Sequence, residues 1–311
     1  MILLEIESVV IRQLLERSLD KNERLSSEYK CCDFDGVEYY IKFNREKKKK
    51  GEDEEAGGPC TVEIHMSLPC TNQISEFGAK EYYDKIYGKF QIGPIEKYTH
   101  AIKFNLQELN PEEQKAVITL ACRLKANVLG APLMWVTKLY QAKQKFAPFE
   151  IPYRAHTGES IYICPTEGGV VAVFTVRFKD PGDRVVGGVF LSELIAARTK
   201  VPSAPTISVS DKKPSDLDQF DIPQYIIDSK EFSFVSIVLG TPQLSDRKID
   251  DIAYNLPLFR DYIHYHIKCT KGYLHSKMRT RVNAMLKILD AAKPEPKVKV
   301  QRTVTGKIVN R

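Results

Sequence analysis

The run Asp33-Phe34-Asp35-Gly36-Val37 is the stretch of this chain most suggestive of chemistry. Two aspartates two positions apart, followed by a glycine, form the D-x-D-G-[TV] pattern. In that pattern one carboxylate attacks phosphorus and the other shuttles a proton, with Mg²⁺ held by both. Asp33 would be the nucleophile and Asp35 the acid/base. Such a site needs a strongly apolar parallel strand before it, and here Glu28-Tyr29-Lys30-Cys31-Cys32 precedes it. No series of parallel strands follows to carry the remaining elements of the reaction, and Asp250-Asp251 lies in a helical stretch instead of at a strand end. The same residues have a simpler reading. Asp-Gly is a strong hairpin signal because the tight turn needs positive φ, and alternating residues flank it on both sides.

The phosphohydrolase alternative, which resembles the haloacid-dehalogenase-like enzymes, therefore rests on Asp33 and Asp35 alone. Other chemistries find less support. No G-x-G-x-x-G opens a helix after a strand, no complete phosphate-binding G-x-x-x-x-G-K-[ST] is present, and Thr305-Gly306-Lys307 is only the tail of such a loop. His264 and His266 fall on opposite sides of a helix, and His266 with Cys269 supplies two ligands where a zinc site needs four. No metal and no cofactor are expected.

The elements that must position these residues read as follows. A helix is expected over 5–19, with Ile6, Val9, Val10, Leu14 and Leu15 on one side. Strands are expected at 30–33, 37–44, 60–68 and 97–104, with a helix marked by Ile74, Phe77, Tyr82 and Ile86 before the last of them. The stretch 45–59, a lysine run followed by an acidic run and Gly-Gly-Pro, reads as a flexible surface loop. Asn110-Pro111 starts a helix that reaches about 144, with a break expected at Gly130-Ala131-Pro132. Strands follow at 151–156, 160–164 and 170–178, then a short strand or helix at 185–197, a strand at 206–210 inside a Pro/Ser/Asp-rich surface connection (202–223), and a strand at 232–239. The two halves share a plan, which predicts an α+β fold of two similar domains, 1–145 and 146–245, each an antiparallel sheet backed by helices.

The stretch 246–292 reads as one long C-terminal helix, and 293–311 as a basic tail. Ile252, Leu256, Phe259, Ile263, Ile267, Leu274, Met278, Val282, Met285 and Leu289 recur at helical spacing. Ser245 or Asp246 is the expected cap, Lys293-Pro294 the stop, and Pro257 a kink or the start of the main segment. At 1.5 Å per residue the helix would span roughly 70 Å. It also carries the charge. From 259 to 311 there are thirteen Lys and Arg against three acids, so this end holds +10 of a chain whose net is +6. Arg260, His264, Lys268, Lys271, His275 and Arg279 form a cationic row beside the apolar one, while Lys277 and Arg281 fall on the apolar face itself. Burial along that face is therefore expected to stop, or to change partner, near Ser276. An apolar partner and an acidic partner are implied. No DNA-binding motif and no interleaved aromatics point to nucleic acid. No run reaches the roughly 18–20 apolar residues of a membrane span, and no secretory leader is evident. Seven scattered cysteines suggest free thiols in a reducing compartment.

The block 259–271, then Tyr273-Leu274-His275-Ser276-Lys277-Met278-Arg279 and Thr303-Val304-Thr305-Gly306-Lys307, closely resembles the actin-related protein 2/3 complex subunit 2 family. Met1-Ile2-Leu3-Leu4-Glu5, Cys32-Asp33-Phe34-Asp35-Gly36-Val37, Tyr87-Gly88-Lys89-Phe90 and Val176-Arg177-Phe178-Lys179-Asp180 are similar too. The resemblance implies a non-catalytic scaffold in the cytoplasmic actin cytoskeleton, at cortical patches or the leading edge, serving actin nucleation and branching. The implied partners are subunit 4, the other subunits including both actin-related proteins, and the mother actin filament. It implies that Leu256, Phe259, Ile263, Ile267, Leu274 and Met278 bury against subunit 4 or the chain's own sheets. Arg260, Lys268, Lys271, His275, Arg279, Arg302 and Lys307 are then the expected filament contacts.

Overall fold

The hairpin signalled by Asp35-Gly36 forms. A computed structural model describes residues 4–20, 26–45, 60–201 and 204–293, so the charged loop at 46–59 and the tail with Arg302 and Lys307 lie outside the described residues. Strands β1 (Glu28–Cys32) and β2 (Glu38–Arg45) pair antiparallel from Cys32 opposite Glu38. Asp35 and Gly36 take φ of 65° and 71°, and the Asp33 N–H donates to the Val37 carbonyl at 2.8 Å across the turn. Strands β3 (Cys60–Ser67) and β4 (His100–Asn105) extend the sheet in the order β1-β2-β3-β4, with every pair antiparallel. Alternate residues Tyr39, Ile41 and Phe43 on β2, and Val62, Ile64 and Met66 on β3, are buried, as the period-2 pattern requires.

Helix α1 (Val9–Leu19) starts after Ser8. Its buried face is Ile11, Leu14, Leu15 and Ser18, whereas Val9 and Val10 are exposed. The expected face of Ile6, Val9 and Val10 is corrected, because the helix begins only at Val9 and its stripe is phased by the later turns. A π-turn (Ser75–Ala79) separates the short helix α2 (Thr71–Ile74) from α3 (Lys80–Tyr87). Helix α4 (Pro111–Cys122) starts where Asn110-Pro111 indicates, and Glu113 completes a capping box with Asn110. Tyr83 Oη donates to the Ala101 carbonyl of β4 at 3.0 Å, and Tyr87 Oη to the Leu120 carbonyl of α4 at 2.9 Å. These two phenols tie α3 to the sheet and to its neighbouring helix.

Helix α5 (Leu124–Gln141) runs unbroken through Gly130-Ala131-Pro132, contrary to expectation. The break falls at Arg123, where α4 and α5 meet at 69°. Gly130 has a packing role. A Cβ there would lie 2.7 Å from the Ala253 carbonyl oxygen of α8 (Ile249–Asn255), so glycine lets the two backbones approach. Among the described residues no single helix is long and apolar enough to cross a membrane.

The second sheet has the order β5-β6-β7-β9-β8, again wholly antiparallel. Its strands are β5 (Phe149–Arg154), β6 (Glu159–Thr166), β7 (Gly169–Arg177), β8 (Thr206–Ser210) and β9 (Phe232–Gly240). Most of β6, β7 and β9 is buried along its length, so both faces of the sheet are covered. On one face Leu217, Ile222 and Ile226 pack with Tyr162, Val173 and Phe234. The Pro/Ser/Asp-rich connection is therefore part of the core, and Ile226 belongs to the short helix α7 (Gln224–Asp228). The ambiguous stretch after β7 is a helix, α6 (Pro181–Lys200). Phe77 of the π-turn stacks on Phe149 of β5 at 4.0 Å between ring centroids, and Trp135 and Phe146 surround them, which joins the two sheets.

The long C-terminal stretch is divided at Pro257, which starts the main segment, one of the two outcomes expected of it. α8 ends at Asn255 and α9 (Phe259–Ala291) begins after Pro257, which cannot donate the intrahelical hydrogen bond. Neither Ser245 nor Asp246 caps α8. Ser245 Oγ donates to the Pro242 carbonyl at 3.1 Å, and Asp246 accepts from Gln141 Nε2 at 2.8 Å. By contact density the chain divides into two units, Met1–Tyr265, which holds both sheets, and His266–Arg311.

Two glycine substitutions should move stability in opposite directions in urea denaturation. Gly130→Ala drives a methyl into the α8 backbone and should cost about 1–3 kcal/mol. Gly188→Ala, in α6 with no atom within 4 Å of the added carbon, should stabilise by about 0.5–1 kcal/mol.

Candidate protein-binding surfaces

Asp33 and Asp35 sit between two antiparallel strands, which is not the setting of the nucleophilic-aspartate reaction. Asp35 is 2% exposed and is held by Lys125 of α5 at 3.3 Å and Arg154 of β5 at 3.6 Å. Lys125 Nζ also donates to the Phe34 carbonyl at 3.1 Å and lies 3.7 Å from Asp33. Asp33 accepts from the Phe34 N–H at 2.7 Å, which closes the turn. Asp33 and Lys125 line a cavity of about 340 Å³ together with Leu4, Val9, Leu129 and Tyr254, while Asp35 is not among its walls. Among the described residues no three His, Cys, Asp or Glu side chains are disposed to hold a metal ion. The aspartates serve the hairpin and an interior ionic cluster.

That cluster takes in the first turn of α9. Arg260 Nε and Nη2 bond the two oxygens of Glu159, at 2.8 and 3.0 Å, and Arg260 Nη1 lies 3.2 Å from Asp261. Arg154 reaches Glu159 as well, at 3.3 Å. Glu159 further accepts from the Arg177 N–H at 3.1 Å and from Thr157 Oγ1 at 2.8 Å. Burial alone would raise the Glu159 carboxyl. The Arg260 guanidinium and these donors outweigh it and hold the group below its usual range. Burial raises Asp261 instead, to about 7, and the neighbouring Asp35 charge adds to the shift.

Arg260, expected on the cationic row, is thus an interior residue with 12% of its side chain exposed. Its spacing matched the row, but the first two turns of α9 lie against the second sheet. Phe259 meets Phe174 at 5.3 Å and His264 stacks with Phe178 at 5.5 Å. The apolar set divides likewise. Leu256 and Ile263 are buried and Phe259 is half-buried within the first unit. Ile267 is buried too, whereas Leu274 and Met278 are 48% and 64% exposed.

In the second unit the helical residues from Lys268 to the end of α9 are exposed, save half-exposed Lys271. The change of burial expected near Ser276 comes two turns earlier, directly after Ile267. Leu274, Met278, Val282, Met285 and Leu289 form one uncovered apolar row. Tyr273, Leu286 and Ile288 widen it; the sequence pattern did not place them there, because they lie off the strict stripe. Lys268, Lys271, His275 and Arg279 step by three or four residues beside the row. The Lys277 ammonium lies over the Tyr273 ring, 5.4 Å from its centroid, a cation–π contact that lets a charge share the apolar face. A contiguous exposed apolar row of this kind is a candidate protein-binding surface.

The fold is that of a two-sheet α+β protein whose last helix carries an exposed apolar row. The family model described as "Arp2/3 complex, 34 kD subunit p34-Arc" matches residues 64–296, and the chain belongs to that family. Among its relatives is Actin-related protein 2/3 complex subunit 2 of Dictyostelium discoideum, 29% identical over 310 residues, spanning 99% of this chain and 98% of that protein. The Schizosaccharomyces pombe protein of the same name is 29% identical over 329 residues, with 99% and 98% covered. Actin-related protein 2/3 complex subunit 2A of Arabidopsis thaliana is 29% identical over 318 residues, with 96% and 93% covered.

Arg260→Ala should destabilise the chain by about 3–5 kcal/mol, because it leaves Glu159 charged and buried without its main partner. Lys268→Ala, at an exposed position, should change stability by less than about 0.5 kcal/mol. Thermal melts of the two variants side by side check the difference.

Proposed function

We propose that this chain is a non-catalytic structural subunit of an actin-related protein 2/3 complex and works by binding alone. The uncovered apolar row from Leu274 to Leu289 carries this reading. Leaving so much apolar surface exposed on one helix is costly. A second long helix laid along the row, such as one from subunit 4, would cover it and complete a helical core for both actin-related proteins. The membership of the family and the full-length similarity to its relatives support the same assembly.

The cationic row, Lys268, Lys271, His275 and Arg279, with Arg302 and Lys307 of the tail, is assigned to the acidic flank of the mother filament. Complementary charge of this kind orients docking and speeds encounter. Arg260 contributes indirectly, by securing the start of α9. Within the body, residues 1–145 and 146–245 are read as two domains because each sheet is built from its own contiguous set of strands. The site of action is the cytoplasmic actin cytoskeleton, at cortical patches or the leading edge.

Replacing Leu274, Met278 and Met285 together by Asp should abolish co-purification of the other subunits while the sheet body keeps its circular dichroism and melting temperature. Reversing Lys271, Arg279 and Lys307 to Glu should leave the complex intact and lower filament co-sedimentation about tenfold, as three rim charges at about 0.5 kcal/mol each require. Unchanged co-sedimentation would assign the cationic row another partner. For catalysis, Mg²⁺-dependent phosphate release from the intact chain that is lost in Asp33→Asn is the result that would overturn the binding-only reading.

A further inference from the structure

Asp261 and Asp35 belong to one interior cluster of the first unit, linked through Arg260, Glu159 and Arg154, with their charges only partly balanced. Asp261 has none of its side chain exposed and Asp35 1%. Both oxygens of Asp35, and Oδ2 of Asp261, are buried and make no hydrogen bond, although Lys125 and Arg154 face Asp35 as ion pairs at 3.3 and 3.6 Å. Two carboxylates cannot bond each other, since each only accepts; one proton between them turns one acid into a donor. The surroundings count against two negative charges. Asp33 and Asp35 approach from the hairpin, Glu159 from β6 and Asp261 from α9, against Lys125 of α5, Arg154 of β5 and Arg260 of α9. That is four acids against three bases. Arg260 and Arg154 are drawn mainly to Glu159, the acid with the shortest contacts. The remaining titratable neighbours, the buried Tyr153 phenol and Cys70 thiol, are both raised by burial and stay neutral.

We propose that Asp261 holds a proton, donates it to Asp35, and so makes the anchorage of the first turn of α9 to the hairpin a pH-sensitive latch. No other contact of Asp261 needs to change, because Arg260, its salt-bridge partner among the described residues, is already secured on Glu159. Loss of the proton leaves two adjacent buried anions, and the turn opens more readily.

The sign follows from linkage. Asp261 titrates near 7 in the folded chain against its ordinary 3.8. Between those values the closed turn binds a proton that the opened turn has released, so closure is fully favoured at the acid end and weakens as pH rises. Above about 7 both forms are ionised and the effect levels off. The opening equilibrium should therefore rise about tenfold per pH unit up to about pH 7 and then become flat. His100, on β4, has the opposite sense. Burial lowers it to about 4, so its contribution is complete above its ordinary 6.5 and is lost toward acid. A whole-chain melt would mix the two, and a local measurement is needed.

Hydrogen exchange followed by mass spectrometry on the purified full-length chain, from about pH 5 to 8.5 and corrected for intrinsic rates, reads the 259–265 segment directly. The expected result is the tenfold-per-unit rise in the wild type and its absence in Asp261→Asn, which keeps a donor for Asp35 without a titrating proton. Asp35→Asn should remove it as well. A flat wild-type profile, or an unchanged slope in Asp261→Asn, overturns the proposal. Infrared difference spectra give a second reading. A protonated-carboxyl band present at pH 6 should fade by pH 8.5 and be missing from Asp261→Asn, and its absence from the wild type at pH 6 also overturns the latch.

Discussion

The bidentate pair between Glu159 and Arg260 is the interaction on which the first unit depends. Glu159 is the first residue of β6, and Arg260 stands in the first turn of α9, 101 positions away. Through Arg154 and Asp261 the pair connects to Asp35 and Lys125, and so to the hairpin of the first sheet and to α5. One ionic cluster thus fastens both sheets and the start of the C-terminal helix. Burying this many charges is costly, and the cost is met only when each finds opposite charge or donors at short range. Such a cluster constrains geometry more than it adds stability, since a shift of any element would strand a charge.

The helices around the cluster are cut to suit it. Pro257 interrupts what would be a continuous helix, and α9 restarts with Phe259 and His264 against Phe174 and Phe178 and with Arg260 and Asp261 toward the charges. Arg123 makes the corner between α4 and α5, and α5 then runs straight past Pro132 with Gly130 against α8. A proline breaks a helix where its neighbours leave the chain room to turn. It is accommodated where packed elements hold the helix on both sides.

Helix α9 keeps one apolar periodicity throughout, yet its residues have two fates. Ile263 and Ile267 are buried, and Leu274 through Leu289 are exposed. The exposed part is the surface proposed above for assembly within the family's complex. The cationic residues divide in the same way, Arg260 serving the interior and Lys268 to Arg279 lying outside it.

The sequence by itself determined whatever is settled over a few neighbouring residues. The Asp35-Gly36 turn, the helix start at Asn110-Pro111, the alternating strands of the first sheet and the fresh helix start after Pro257 all follow from local steric and hydrogen-bonding rules, and each stands where the residues indicate. Family membership was legible too, in long specific blocks such as 259–271. What the tertiary structure alone decided is which of two identical-looking residues is inside. Arg260 and Lys268 share a helical row, and Leu274 shares a stripe with Ile263. Nothing in their spacing distinguishes them, because spacing records which face a residue occupies and not what lies opposite that face. Gly130 looked like a helix breaker for the same reason, its partner Ala253 being distant in the chain. The strands of the second sheet, covered on both sides, lost the alternation that would have revealed their faces, and the connection carrying Leu217 and Ile222 looked polar because only a few of its residues reach the core. Pairing across a hundred positions is a property of the packed chain, and it decided that the aspartates most suggestive of chemistry became the anchor of a binding scaffold.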